Sequence, residues 1–118
     1  MATVTATDSN IAELIEKHDT IFFDFWASWC GPCRMFSPVF DKASEEHSDM
    51  VFAKVNVDEN PQVAQALQVV SIPTLMAFRD GIGVFRSAGA MSSNDLDSVI
   101  KQVAALDMDE VRKQAEQA

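Results

Sequence analysis

The sequence predicts an α/β domain in which a central mixed sheet is covered by helices on both faces. Residues 21–26 are apolar at consecutive positions except for Asp24, as expected of a central strand buried on both sides. Strand-like and helix-like segments alternate along the chain, which favours parallel strands joined by right-handed crossovers. A turn signal at Asp80-Gly81 adds an antiparallel hairpin. With 118 residues, the chain is long enough for one domain.

In chain order, the first half predicts a helix, a strand, a second helix and a second strand. Apolar residues at helical spacing over residues 11–15 follow Asn10, which we expect to cap the first helix. Residues 21–26 form the first strand. A second helical stripe follows it, and Pro38 inside this stripe is expected to kink the helix. In residues 51–57 the small apolar side chains recur at every second position, which predicts a second strand.

The second half predicts a short helix, the hairpin and a last helix. Asn60 is the expected cap of the short helix, because a proline follows at the first helical position. Residues 74–79 and 82–87 are the two strands of the hairpin. Ser92 and Asp95 match the pattern that caps a helix, and a stripe of apolar residues follows them.

We divide the chain into a domain over residues 1–106 and an acidic polar tail over residues 107–118, expected to be a frayed helix. The chain has 18 acidic and 9 basic side chains, a formal net charge of −9. This excess argues against binding to nucleic acid and to anionic membranes. The absence of a signal-peptide pattern and of a long apolar run, together with a single close cysteine pair, predicts a cytoplasmic protein.

The two cysteines, Cys30 and Cys33, flank the dipeptide Gly31-Pro32 at the junction of a predicted strand and a predicted helix. Two thiols at this spacing can close a small disulfide ring and open it again, which is the minimum for two-electron thiol–disulfide exchange. A stabilising disulfide would more usually close a long loop, because a short ring constrains little of the unfolded chain. The spacing therefore indicates redox chemistry.

Two other readings of the cysteine pair are excluded by the residues around it. A zinc site needs further ligands, and His18 and His47 are not at the short spacing of a zinc finger. Covalent haem needs a histidine directly after the second cysteine, where Arg34 stands. We therefore expect no metal and no bound cofactor.

The sequence resembles the thioredoxin family most closely over residues 25–35, which read Phe-Trp-Ala-Ser-Trp-Cys-Gly-Pro-Cys-Arg-Met, and then at Pro38. Single positions at family spacing extend the resemblance over about residues 8–106. These positions are Asp24, Lys54, Ile72, Pro73, Thr74, Gly81 and Gly89. The resemblance implies the thioredoxin fold, and the Gly-Pro dipeptide resembles the reducing members rather than the isomerases, which carry histidine before the second cysteine.

The resemblance implies a catalytic role for four residues. Cys30, at the start of a helix, would attack a disulfide, since a helix N-terminus stabilises a nearby anion by roughly 0.3–1 kcal/mol. Cys33 would resolve the mixed disulfide, and Asp24 would take its proton through a water. Lys54 would tune Asp24. The residues themselves leave two alternatives open, namely a structural ion pair of Asp24 with Lys54 and a solvated lysine at a strand end.

The resemblance also implies a docking surface for client proteins. The bond before Pro73 would be cis, although only about 5–6% of such bonds are. The Ile72 backbone would then pair with an extended client segment, in the manner of strand addition. An apolar collar would surround Cys30. Its members are Trp29, Gly31, Pro32, Ile72, Gly89 and Ala90.

The resemblance implies a monomeric general protein-disulfide reductase that acts on disulfide-containing client proteins and is recycled by a thioredoxin reductase. One alternative is a thiol oxidant or isomerase, which would need a more acidic nucleophile and a less stable disulfide. A second alternative is a binding module without enzymatic activity that uses the collar as an interface.

Overall fold

The computed structural model describes residues 2–117. Five strands and five helices are described there. In chain order they are β1 (Val4–Thr5), α1 (Ile11–Lys17), β2 (Thr20–Trp26), α2 (Gly31–Glu46), β3 (Val51–Asn56), α3 (Pro61–Ala66), β4 (Thr74–Arg79), β5 (Ile82–Ala88), α4 (Ser93–Ala104) and α5 (Met108–Gln117).

The strands form one mixed sheet in the order β1-β3-β2-β4-β5. Strands β1 and β2 run parallel to β3, whereas β4 runs antiparallel to both β2 and β5. The predicted mixed sheet and its hairpin are therefore confirmed. Strand β1 was not predicted, because two residues are too few to show an alternating pattern. Val4 and Thr5 lie opposite Ala53 and Lys54 of β3.

Strand β2 lies at the centre of the sheet, and its side chains alternate between two hydrophobic cores. Phe22 packs with Phe52 on the face covered by α2 and α4. Phe23 and Phe25 belong to the core on the opposite face, beneath α1 and α3. The prediction of a strand covered on both sides is confirmed. Because Asp24 has the same parity as Phe22, its side chain belongs to the face that α2 covers.

Asn10 and Asn60 are the N-cap residues of α1 and α3, as predicted, but neither side chain makes the expected capping hydrogen bond, because both have other partners. The Asn10 carboxamide oxygen accepts from the Thr7 N–H at 2.7 Å, outside the helix that it precedes. The Asn60 side-chain oxygen accepts from the Asp8 N–H at 2.9 Å. The Asp8 carboxylate in turn accepts from the Val63 N–H at 2.8 Å, so a distant residue caps α3.

Helices α4 and α2 follow the prediction more closely. The Asp95 N–H donates to the Ser92 hydroxyl at 3.1 Å, which confirms the cap of α4. Helix α2 begins directly after Cys30 and continues through Pro38 over 16 residues. The kink at Pro38 stays a prediction.

Residues after 106 include helix α5. Met108 is buried, and the Arg112 guanidinium pairs with Asp80 at 3.0 Å, beside the hairpin turn. The division of the chain at residue 106 stays a prediction. Within residues 2–117, no helix combines the length and the apolar character that crossing a membrane requires.

Candidate active site

The cysteine pair lies where the central strand passes into the longest helix. Strand β2 ends at Trp26, and Cys30 is the N-cap of α2, so the turn between them emerges from the middle of the sheet. Cys30 and Cys33 are joined by a disulfide, with their Cα atoms 5.3 Å apart. The Cys33 N–H donates to the Cys30 Sγ at 3.2 Å. This donor and the helix dipole would both stabilise a Cys30 thiolate once the bridge opens.

Two other loops approach the disulfide. The Ile72–Pro73 peptide bond is cis, as the resemblance implied. The carbonyl oxygen of Ile72 lies 3.7 Å from the Cys30 Sγ. The Gly89 N–H donates to the Pro73 carbonyl at 2.8 Å, and Gly89 has a φ of +102°, a conformation that favours glycine. Cys30 and Cys33 are only 5% and 2% exposed, so the surrounding residues cover most of the disulfide.

The expected collar is in part an exposed surface. Trp29 is 67% exposed, and its indole N–H donates to the Asp58 carboxylate at 2.9 Å. Pro32, Gly89 and Ala90 are exposed as well. The remaining two, Gly31 and Ile72, are half-buried, and Ile72 packs against the two cysteines. Sequence reasoning missed Asp58, although its position just after β3 places it at the same edge of the sheet.

Asp24 is a buried carboxyl without a hydrogen-bond partner among the described residues. It is 1% exposed, and both of its oxygens are unpartnered. Burial is the main cause that raises the pKa of Asp24 to about 7, because a low-dielectric interior disfavours the charged form. The positive charge of Lys54 lowers the pKa, and the negative charge of Asp41 raises it. The carboxyl can therefore gain or lose a proton near neutral pH.

Lys54 lies opposite Asp24 in the β2–β3 register, but its ammonium group is bound elsewhere. The Lys54 Nζ lies 2.8 Å from an oxygen of Asp41 and donates to the Ser37 hydroxyl at 2.6 Å. Both alternatives for Lys54 are therefore wrong, since it is neither paired with Asp24 nor a lysine surrounded by solvent. Helix α2 supplies the competing partners.

Sequence reasoning also missed Ser37 and Asp41. A signal was present, because Cys33, Ser37 and Asp41 follow one another at intervals of four and so share one face of α2. A cavity of about 270 Å³ opens beside this face. It is lined by Trp26, Ala27, Ser28, Cys33, Arg34, Ser37 and Lys54.

A family model described as Thioredoxin matches residues 2–102. The chain belongs to the thioredoxin family. A thioredoxin of Alicyclobacillus acidocaldarius is 42% identical over 103 residues, which cover 86% of this chain and 98% of the relative. A solved structure of Plasmodium falciparum thioredoxin superposes with a TM-score of 0.80 at 30% identity. That alignment covers 85% of this chain and 98% of the other.

A third relative carries a thioredoxin as part of a longer protein. The bifunctional thioredoxin reductase/thioredoxin of Mycobacterium leprae is 40% identical over 104 residues, which cover 83% of this chain but only 23% of the relative. The predicted thioredoxin fold is confirmed. The family and its Cys30–Cys33 pair make this chain a protein-disulfide reductase with a redox-active disulfide.

Proposed function

We propose that Cys30 is the nucleophile through which this thioredoxin reduces client disulfides. Its thiolate attacks one sulfur of the client bridge, forms a mixed disulfide and releases the other client sulfur as a thiolate. The observation that carries the proposal is the position of the Cys30 Sγ, which caps α2 and lies 3.7 Å from the carbonyl oxygen of half-buried Ile72. Both features favour attack by this sulfur on a partner that approaches from outside.

Cys33 completes the transfer of two electrons. Its thiolate attacks the Cys30 sulfur, the mixed disulfide breaks, and the second client sulfur leaves as a thiolate. The client then carries two thiols, and the pair is again a disulfide. Asp24 takes the proton of Cys33, through a water, before this attack. Its burial and its pKa of about 7 support this role, since a base in that range accepts protons near neutral pH.

The client docks on the collar around Cys30. Exposed Trp29 presents an apolar ring face, and the hydrogen bond from its indole N–H to Asp58 fixes the orientation of the ring. An extended client segment pairs with the backbone of Ile72, at the side of cis Pro73. Gly31 and Gly89 have no side chain, and those of Pro32 and Ala90 are small or rigid, so these positions leave room for a polypeptide.

A thioredoxin reductase returns the pair to its dithiol form. The fusion of the two activities in the Mycobacterium leprae relative supports this partner. In such a cycle NADPH supplies the electrons through the flavin of the reductase, so this chain needs no cofactor of its own. The proposal includes a monomer that works in the cytoplasm, with residues 1–106 as the reductase domain.

Two cysteine variants test the mechanism. Cys33→Ser should accumulate covalent client complexes through Cys30, because the resolving thiol is missing. Cys30→Ser should lose insulin-disulfide reduction, because no accessible nucleophile remains. Ser28→Ala, which changes an exposed residue of the same turn, is the matched control and should retain activity. Insulin reduction by Cys30→Ser at the rate of the unmodified protein would refute the assignment.

The reduction potential tests the direction of the reaction. Equilibration of the Cys30–Cys33 pair with glutathione should give a value near −270 mV, about that known for thioredoxin itself. A value near −180 mV, about that of protein disulfide isomerase, would instead support an isomerase. A double variant, Cys30→Ser with Cys33→Ser, should fail to replace the protein in cells, unless the chain is only a binding module.

A further inference from the structure

Lys54 and Asp24 face the same side of the sheet at neighbouring positions, yet their charged groups are not paired. They lie opposite each other on the parallel strands β2 and β3, whose spacing of about 4.8 Å allows side chains on the same face to meet. The Lys54 ammonium instead contacts Asp41 at 2.8 Å and Ser37 at 2.6 Å. Both contacts come from α2, the helix that begins at the cysteine pair.

We propose that Ser37 and Asp41 are positioning residues that hold the Lys54 ammonium against α2 and keep Asp24 free of an ion-pair partner. This proposal rests on the proton-accepting role of Asp24 in the proposed function. The two residues lie one helical turn apart, so a single face of α2 provides both an anion and a hydroxyl for Lys54. A side chain as flexible as lysine would otherwise be free to turn toward the nearest unpaired carboxylate.

The surroundings of Asp24 leave Lys54 and Asp41 as the charged groups that act on it. Lys54 comes from β3 and Asp41 from α2. From β4 the opposite residue is Leu75, and Cys33 at the start of α2 carries no charge in the disulfide. The buried residues of α4 on this face are apolar; they are Leu96, Ile100 and Val103. Burial has the largest effect on the proton affinity of Asp24, and among the charged groups the Lys54 ammonium has the largest effect.

The chemical consequence concerns the second step of the exchange. A carboxylate in a close ion pair with lysine holds protons weakly and is a poor base. A carboxylate without such a partner holds protons near neutral pH and can take one from Cys33. Asp41 contributes twice, because its own negative charge also raises the pKa of Asp24. Loss of Asp41 should therefore lower the pKa of Asp24 in two ways, because it frees the Lys54 ammonium and removes a negative charge.

The test is Asp41→Asn in the full chain with the disulfide closed. Titration of the Asp24 carboxyl carbon by NMR should show its midpoint about one pH unit lower than in the unmodified protein, or more. Ser37→Ala should shift it in the same direction by less, and Asp41→Glu should restore it. Glu45→Gln, which removes an exposed carboxylate one turn further along α2, should leave it unchanged.

An unchanged Asp24 midpoint in folded Asp41→Asn would overturn the proposal, as would an equal shift in Glu45→Gln. If Asp41→Asn does not fold, the NMR midpoint of Asp24 is measured in Ser37→Ala instead. An unshifted Asp24 midpoint in Ser37→Ala would then overturn the proposal. The pH profile of insulin reduction separates this proposal from the proton-accepting role. Asp41→Asn should shift that profile to lower pH, and in an Asp24→Asn background the shift should vanish.

The role of Asp24 can fail independently. A pH profile for Asp24→Asn that coincides with the profile of the unmodified protein would refute Asp24 as the proton acceptor. The NMR midpoint of Asp24 in Asp41→Asn would still decide whether α2 positions Lys54, because that measurement does not depend on activity.

Discussion

Replacement of Asp24 by asparagine should stabilise the protein increasingly as the pH rises. The folded-state pKa of about 7 lies about 3 units above the ordinary value of 3.8, so the folded protein binds this proton more tightly than the unfolded chain does. The stability that this proton contributes is complete below pH 3.8 and is lost as the pH rises through about 7. At about 1.36 kcal/mol per unit, the loss amounts to about 4 kcal/mol.

This loss should be measurable as a difference in the free energy of unfolding between the unmodified protein and Asp24→Asn. Between pH 5 and pH 6, the unmodified protein should lose stability relative to Asp24→Asn by about 1.4 kcal/mol per pH unit, the slope for one proton. The asparagine amide also lacks hydrogen-bond partners at this site, but that cost does not change with pH. This cost therefore shifts the plot of the stability difference against pH by a constant amount and does not alter its shape.

Urea unfolding of the disulfide form from pH 4 to pH 9 measures the difference. Asp49→Asn, a change at an exposed position, is the matched control and should give a flat difference curve. A difference between Asp24→Asn and the unmodified protein that stays constant from pH 4 to pH 9 would refute the reasoning. It would mean that burial does not raise the pKa of this carboxyl.

Two further predictions concern helix ends. Ser92→Ala should lower the free energy of unfolding by about 1 kcal/mol, because the Asp95 N–H loses its acceptor, whereas Ser93→Ala should have little effect. Equal urea midpoints for these two variants would contradict the cap. Met108→Ala should cost about 2 kcal/mol, since Met108 is buried at the start of α5. An unchanged midpoint would instead favour a tail over residues 107–118 that is independent of the domain.

The element order and the site were largely predictable because they depend on local spacing. The apolar run that contains Asp24 predicts a central strand, and β2 is that strand. The separation of Cys30 and Cys33 by two residues predicts a closable ring, and the two form a disulfide. Residues 11–15 predict a helix by their period, and α1 begins at Ile11. None of these inferences needs a partner from elsewhere in the chain.

The helix caps were less predictable because several acceptors compete for the same donor. Asn60 has the right residue type and position for a cap, but Asp8 binds the Val63 N–H in its place. Asp8 and Val63 are 55 positions apart in the sequence. Only the pairing of β1 with β3 brings the N-terminal segment to this end of α3. A local pattern carries no information about such a competitor.

By itself, the sequence determined that this chain has a dithiol at the junction of a buried strand and a helix, with one carboxyl in that strand. Only the tertiary structure decided the partner of Lys54, because Ser37 of α2 and Lys54 of β3 are 17 residues apart in the sequence and their elements must pack before Ser37 and Asp41 can compete with Asp24. Covalent neighbours and periodicity act through the chain, whereas charge pairing acts through space and depends on which surfaces the fold brings together.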